Sequence, residues 1–281
     1  METALMDIEY NYLEIRRRVE QVIQREADGS YFAVYNNLVF RSVFQPIFDS
    51  NKEILGVESL IRIRTTSGEA VSPQVFFKEV EENNTHWVFY TLLCSVLHVL
   101  NFSISAFCKH KLFINVAPPI FELISNDDAA IAHIMARLEQ YQIRPDQITY
   151  ELMESRGRSP ELVLKGMKKM SSHGIHIAMD DYGVEHSTIE RAELIRPHYL
   201  KLDKSLLVGS EKAVIEEVNS AVALARKVGA KTIAEGIETN AVLQICQDAG
   251  IEYFQGYYLA MPEKAPPVNE RVELTQRKER G

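Results

Sequence analysis

The sequence predicts an α/β fold, most simply a TIM-like (β/α)8 barrel, and three observations lead there. Short, largely apolar runs alternate with longer segments of helical periodicity, the pattern of strands buried under crossover helices. Turn residues such as Pro145, Gly174, Pro197, Gly229 and Gly250 punctuate that alternation. Acids stand where the strands should run out into loops: Glu58, Glu151, the pair Asp180 and Asp181, and Glu235. The carboxyl ends of strands are where α/β folds bind ligands. An open doubly wound sheet has the same alternation and remains the competing arrangement on pattern alone.

The elements follow in order. Residues 1–40 precede the first barrel strand and contain a charged helical stretch, Asp7 to Ala27, with Leu13, Val19, Val22 and Ile23 among its apolar positions. They read as a short N-terminal helical extension. Strands are expected near 39–47, 54–63, 111–116, 147–152, 175–180, 198–202, 230–234 and 252–256. Helices are expected near 74–82, 87–107, 119–140, 160–173, 187–195, 211–229 and 239–249. One barrel domain over 41–263 accounts for this series, and the Pro- and charge-rich residues 264–281 read as a flexible tail.

Composition narrows the function. A hydrophobic content of 46 % in 281 residues is ample for one large core. A net charge of −8 argues against a nucleic-acid polymer as partner, because such binding sums Lys and Arg contacts to phosphates. A small phosphorylated ligand remains compatible. The cysteines, Cys94, Cys108 and Cys246, are odd in number and lack C-x-x-C spacing, as expected of buried thiols in a reducing cytoplasm. Met1 to Gln24 is rich in Glu and Arg and does not read as a signal peptide. Trp87 to Phe107 carries no Asp, Glu, Lys or Arg and reaches the roughly 20 residues that cross a bilayer. Its Thr91, Ser95, His98, Asn101, Ser103 and Ser105, and its place between two needed strands, make it an outer-ring helix instead of a membrane span. Being apolar on so many faces, it is expected to meet a second subunit or a protein partner, a role also open to the N-terminal helix.

At one barrel mouth Glu58, Glu151, Asp180, Asp181 and Glu235 would repel one another, with only Lys201 in compensation. Two divalent cations would balance them. Oxygen ligands suit Mg²⁺ or Mn²⁺, with Asn115 adding an amide oxygen and Asp180 the natural bridge; no His or Cys cluster favours zinc. Two such ions activate water and stabilise a departing oxygen in phosphoester hydrolysis. Strand alternation in Tyr199-Leu200-Lys201-Leu202-Asp203 sends Lys201 to the face of Tyr199 and Asp203, where it would orient or deprotonate the attacking water. A lysine merely ion-paired with Asp203 or another acid fits the same pattern.

Several ordered motifs resemble the EAL domain, the cyclic di-GMP phosphodiesterase module of bacterial signalling, over roughly Val43 to Pro262. They are Phe44-Gln45-Pro46-Ile47, Glu58-Ser59-Leu60-Ile61-Arg62, Asn115-Val116, Glu151-Leu152-Met153-Glu154-Ser155, Asp180-Asp181-Tyr182-Gly183, Leu200-Lys201-Leu202-Asp203, Ala234-Glu235-Gly236-Ile237-Glu238-Thr239 and Gln255-Gly256-Tyr257. The resemblance implies a barrel whose first strand is antiparallel, and Mg²⁺- or Mn²⁺-dependent opening of cyclic di-GMP to linear pGpG without an organic cofactor. It implies that Glu58, Asn115, Glu151, Asp180 and Asp181 bind metal and that Lys201 and Glu235 complete the water-activating site, Glu58 counting among the catalytic groups. It also implies that Gln45, Arg62 and Gln255 meet the substrate, that Glu154 and Glu238 support the loop after Asp181, and that the protein is a cytoplasmic homodimer.

Two departures stand out. Ser59 takes the place of the usual alanine, and Glu185-His186-Ser187-Thr188 takes the place of Gly-Tyr-Ser-Ser in a loop that couples metal binding to dimer contacts in the family. An acid where a glycine usually stands alters both backbone freedom and local charge. A cyclic di-GMP-binding effector, or an adaptor with little or no catalysis, is the alternative to an enzyme.

Overall fold

The computed structural model describes residues 12–153, 159–183 and 189–268. Helix α1 (Tyr12–Val22) leads into a hairpin of β1 (Ile23–Arg25) and β2 (Tyr31–Tyr35), then the long strands β3 (Leu38–Asp49) and β4 (Ile54–Thr65) and the short β5 (Ala70–Val71). Two helices follow, α2 (Pro73–Glu81) and α3 (Asn84–Ser103), before β6 (Lys111–Val116), α4 (Pro118–Ser125), α5 (Asp128–Gln140) and β7 (Ile148–Leu152). Regular alternation then runs through α6 (Pro160–Ser172), β8 (His176–Tyr182), α7 (Ile189–Ile195), β9 (Tyr199–Leu202), α8 (Glu211–Val228), β10 (Lys231–Ala234), α9 (Asn240–Asp248) and β11 (Tyr253–Phe254).

The sheet closes on itself. Neighbours run β3-β11-β10-β9-β8-β7-β6-β4, and β3 pairs again with β4, so no edge is left in that ring of eight. Strands β4 through β11 in the ring pair in parallel, while β3 is antiparallel to both β4 and β11. The expected barrel with its antiparallel first strand is what forms, and the open doubly wound sheet is excluded.

Local chemistry starts and stops the outer helices where the sequence signals them. Ser159, Ser210 and Thr239 cap α6, α8 and α9 through side-chain oxygens that accept from Leu162, Ala213 and Val242 backbone N–H groups. Gly229 ends α8 in the left-handed conformation at φ 79°. The single helix expected over 119–140 is two helices, because the Asp127 carboxylate accepts from the Ala130 N–H at 2.8 Å and starts α5 afresh.

Three other expectations are altered by long-range packing. The N-terminal extension contains its helix, α1, and also the β1–β2 hairpin, which adds antiparallel strands to β3. Helix α3 is long and apolar enough by composition to cross a membrane, yet 72 % of its candidate span is buried inside the chain. Its surface is covered by α1, α2 and β2, with Tyr12, Ile15 and Val19 of α1 in the same core as Leu92, Leu93 and Val96. The face expected to meet a second subunit is therefore covered largely from within. Finally, the start of the tail docks: Glu263 exchanges backbone hydrogen bonds with Phe44, and Ala106 N–H donates to Pro266 O at 2.9 Å. Cys94 and Cys246 are buried and Cys108 half-buried, all as free thiols.

Candidate metal and phosphodiester site

The site is built as a layer on top of a core. Inside the barrel Ile47, Phe113, Ala178, Tyr199 and Ile233 pack together, and Thr149 is fully buried at the same level. Because side chains alternate along a strand, the residues two positions nearer the mouth share that inward face. They are Gln45, Asn115, Glu151, Asp180, Lys201 and Glu235, with Gln255 two beyond Tyr253, which packs against the same cluster. Glu58 lies directly opposite Gln45 in the β3–β4 register. Eight predicted site residues thus converge from eight strands.

At its centre the Lys201 ammonium, 1 % exposed, lies 2.6 Å from Glu151 Oε1, 2.7 Å from Glu235 Oε1 and 2.9 Å from Asp180 Oδ1. Asp203 is not its partner, since that carboxylate accepts from the Ser205 N–H. Burial alone would lower the Lys201 pKa, but Asp180, Glu151 and Glu235 together hold it well above the usual lysine value. Burial pushes the Glu151 and Glu235 carboxyls up, and neighbouring acids add to this while Lys201 opposes it. Glu151 is fully buried, and its Oε2 meets no hydrogen-bond donor among the described residues. A buried carboxylate oxygen without a donor is unfavourable unless a cation meets it.

A second, uncharged frame holds Glu58. Gln255 Nε2 donates to Glu58 Oε2 at 2.7 Å and to Gln45 Oε1 at 3.2 Å, Asn115 Nδ2 donates to Glu58 Oε1 at 3.2 Å, and Gln45 Nε2 is anchored on Ala260 O. Gly256 lets Gln255 reach this position, since a Cβ there would stand 2.1 Å from Ile237 O. The Ser59 hydroxyl, new to its position, finds a partner in Phe113 O at 2.8 Å.

Adjacent residues of a strand point to opposite faces, so Asp180 and Asp181 should not share a site. They do because the β8–β9 register shifts between Met179 and Tyr182 and Asp181 takes a left-handed φ of 51°, a conformation Asp tolerates better than most residues. Carboxylate oxygens of Asp180, Asp181 and Glu235 consequently lie within 4.8 Å of one another. The meeting of Glu235 with the acid pair at one mouth is as expected from the sequence, but the bulge that lets both aspartates join it is not; the acid pair followed by Tyr182-Gly183 was the available signal.

Arg62 lies four residues beyond Glu58 on the same face of β4, exposed, with Nη1 donating to Ile61 O. Glu238 is exposed and away from hydrogen-bond partners among the described residues. Glu154 and the altered loop with Glu185 and His186 lie outside the described residues.

Known proteins bear on this geometry. The sequence matches the EAL domain family over residues 33–262. It is 24 % identical over 234 residues to the probable cyclic di-GMP phosphodiesterase PdeN of Escherichia coli (strain K12), covering 79 % of this chain and 43 % of that protein. Over a shorter stretch of 108 residues it is 41 % identical to the uncharacterised EAL-domain containing protein YkuI of Bacillus subtilis (strain 168), covering 38 % of this chain and 26 % of that one. Among solved structures, Bacillus subtilis YkuI in complex with substrate c-di-GMP and calcium has a TM-score of 0.70 at 24 % identity, covering 94 % of this chain and 60 % of that one. A manganese/cy-diGMP complex of Klebsiella pneumoniae BlrP1 has a TM-score of 0.66 at 24 % identity, covering 80 % and 56 %. These likenesses show the shared barrel, and the chain spans less than half the length of the curated relatives it matches first. On a match that takes in most of its length, the chain belongs to the EAL domain family.

Proposed function

We propose that the chain hydrolyses cyclic di-GMP to linear pGpG with two divalent cations, Mg²⁺ or Mn²⁺. The observation that carries this reading is the convergence of Glu151, Asp180 and Glu235 on one buried ammonium, Lys201, with Asp181 beside Asp180 and Glu235 and with Glu58 held by Asn115 and Gln255 at the same mouth. The donor set fits hard cations: carboxylate oxygens, one amide, and a buried Glu151 Oε2 without a donor. Glu58, Asn115, Glu151, Asp180 and Asp181 would hold the ions, which when bound supply charge stabilisation of phosphoryl oxygens and lower the pKa of water. The calcium and manganese in the YkuI and BlrP1 complexes support the choice of divalent ions.

The chain's own groups have distinct tasks. Lys201, held as an ammonium, donates toward the attacking water and fixes its lone pair on the phosphorus, while Glu235, sharing that ammonium, accepts the water's proton. Gln255 and Asn115 keep Glu58 in one orientation. Arg62 offers its planar fork of donors to a substrate phosphate. Phosphoryl transfer needs little else beyond positioning and charge.

Purified chain incubated with cyclic di-GMP and Mg²⁺ or Mn²⁺, followed by chromatography for pGpG, tests the reading against a Glu58→Ala control. Product that disappears in the control supports it. Nucleotide recovered intact with both metals overturns the enzyme reading and leaves a binding-only effector.

A further inference from the structure

The β3–β4 ribbon continues past the carboxylates. Beyond the Gln45–Glu58 pair come Val43 opposite Leu60 and then Arg41 opposite Arg62. Directly opposed residues share a face with Cβ atoms about 4.5–5.5 Å apart, and like charges in that relation repel. Among the described residues only one of the two is compensated. Arg41 donates from Nε and Nη2 to Glu26 Oε1, at 3.2 and 2.7 Å, and its guanidinium lies over the Phe32 ring, 5.1 Å from the centroid. Arg62 has a single backbone acceptor, Ile61 O at 3.1 Å, and no carboxylate partner among the described residues.

Both arginines line one cavity of about 390 Å³, within the range of small-ligand pockets. It opens where the outer edge of β3 passes from Arg41, paired with Phe32 of β2, to Phe44, bridged to Glu263. Its outer wall comes from segments outside the barrel ring: Glu26 and Asp28 before β2, and Lys264, whose ammonium bonds Asp28 at 2.5 Å. Two guanidinium forks side by side, one preset by an acid and an aromatic ring, form a receptor for an oxyanion.

We propose that Arg41 is a second ligand-contacting arginine, sharing a phosphodiester of the cyclic dinucleotide with Arg62, and that Glu26 of the N-terminal extension positions it. This inference rests on the cyclic di-GMP reading above. The extension thereby supplies part of the substrate site through its grip on β3.

Steady-state kinetics of the full chain, with direct binding of cyclic di-GMP measured in Ca²⁺, tests the assignment. Arg41→Gln is expected to raise KM and Kd roughly 10- to 100-fold, the worth of a charge-assisted hydrogen-bonded contact, with the larger part of the loss in KM. Arg41→Lys, which keeps the charge and loses the fork, should fall between. Glu26→Gln should weaken binding in the same direction by less. Arg64→Gln, which removes equal charge from a side chain bonded to Gly68 O, should bind as the parent does. Unchanged Kd and KM in Arg41→Gln, an equal loss in Arg64→Gln, or a loss confined to kcat with a lowered melting temperature would each overturn the inference. A parent chain that neither binds nor cleaves the nucleotide would instead overturn the functional reading beneath it.

Discussion

Replacing Lys201 with methionine removes the one cation at the centre of the carboxylate cluster while filling nearly the same volume. Lys201 and Glu151 are 1 % and 0 % exposed, so water cannot take over the missing charge. Breaking a buried pair by deleting one partner costs about 3–5 kcal/mol. For 281 residues, an unfolding entropy of about 2.1 cal/mol/K per residue converts this to a loss of roughly 5–8 °C in melting temperature. The assay is calorimetry in chelator, on parent, Lys201→Met and Lys201→Met with Glu151→Gln. The double variant should recover a large part of the loss, since the most buried carboxylate is then gone as well. Saturating Mn²⁺ should narrow the gap between parent and Lys201→Met, because cations answer the same uncompensated charge. A Lys201→Met variant that melts with the parent in chelator would refute the claim that the lysine offsets buried acids.

Two further outcomes are expected. His98 is 4 % exposed, bonded through Nδ1 to Ser42 Oγ, and burial lowers its pKa to about 3. The unfolded chain therefore binds a proton near pH 6.5 that the folded chain refuses, so stability falls as pH drops from 6.5 toward 3; between pH 7 and 5 His98 should account for about 2 kcal/mol, lost from the pH slope of urea denaturation in His98→Gln. Deleting residues 1–22 uncovers the face of α3 that Tyr12, Ile15 and Val19 bury, and light scattering should then report self-association where the parent shows less. Unchanged scattering would mean that α3 is covered by other elements.

The layering of this barrel follows from strand alternation, and that much was legible early. Glu151, Asp180 and Glu235 stand at or near strand ends as expected, whereas Glu58, expected at the same kind of end, lies inside β4 and reaches the mouth through its place opposite Gln45 on antiparallel β3; a residue two positions past a buried apolar one shares its face. The boundaries of the barrel strands also came close, β6 at Lys111–Val116 as expected and β9 at Tyr199–Leu202 within a residue, since short apolar runs between turn residues have few other ways to fold. Periodicity over 119–140 predicts one continuous helix because it runs across the break between α4 and α5, which the Asp127 cap makes.

What sequence by itself determined was the alternation of strands and helices, the set of oxygen-bearing side chains brought to one mouth, and the motif order that marks the family. Three matters were decided by tertiary structure alone. The apolar face of α3, alone in sequence, is met by α1 and β2 from the chain's own extension, because a segment of the same chain is held at high effective concentration and burying apolar surface is favourable. Asp180 and Asp181 share one site because a register shift and a left-handed residue undo the alternation of β8, a distortion set by pairing with β9. Arg41 faces Arg62 because β3 runs antiparallel to β4 in one particular register. Such cross-strand neighbours have no local signature, since the residues that meet were never close in the chain.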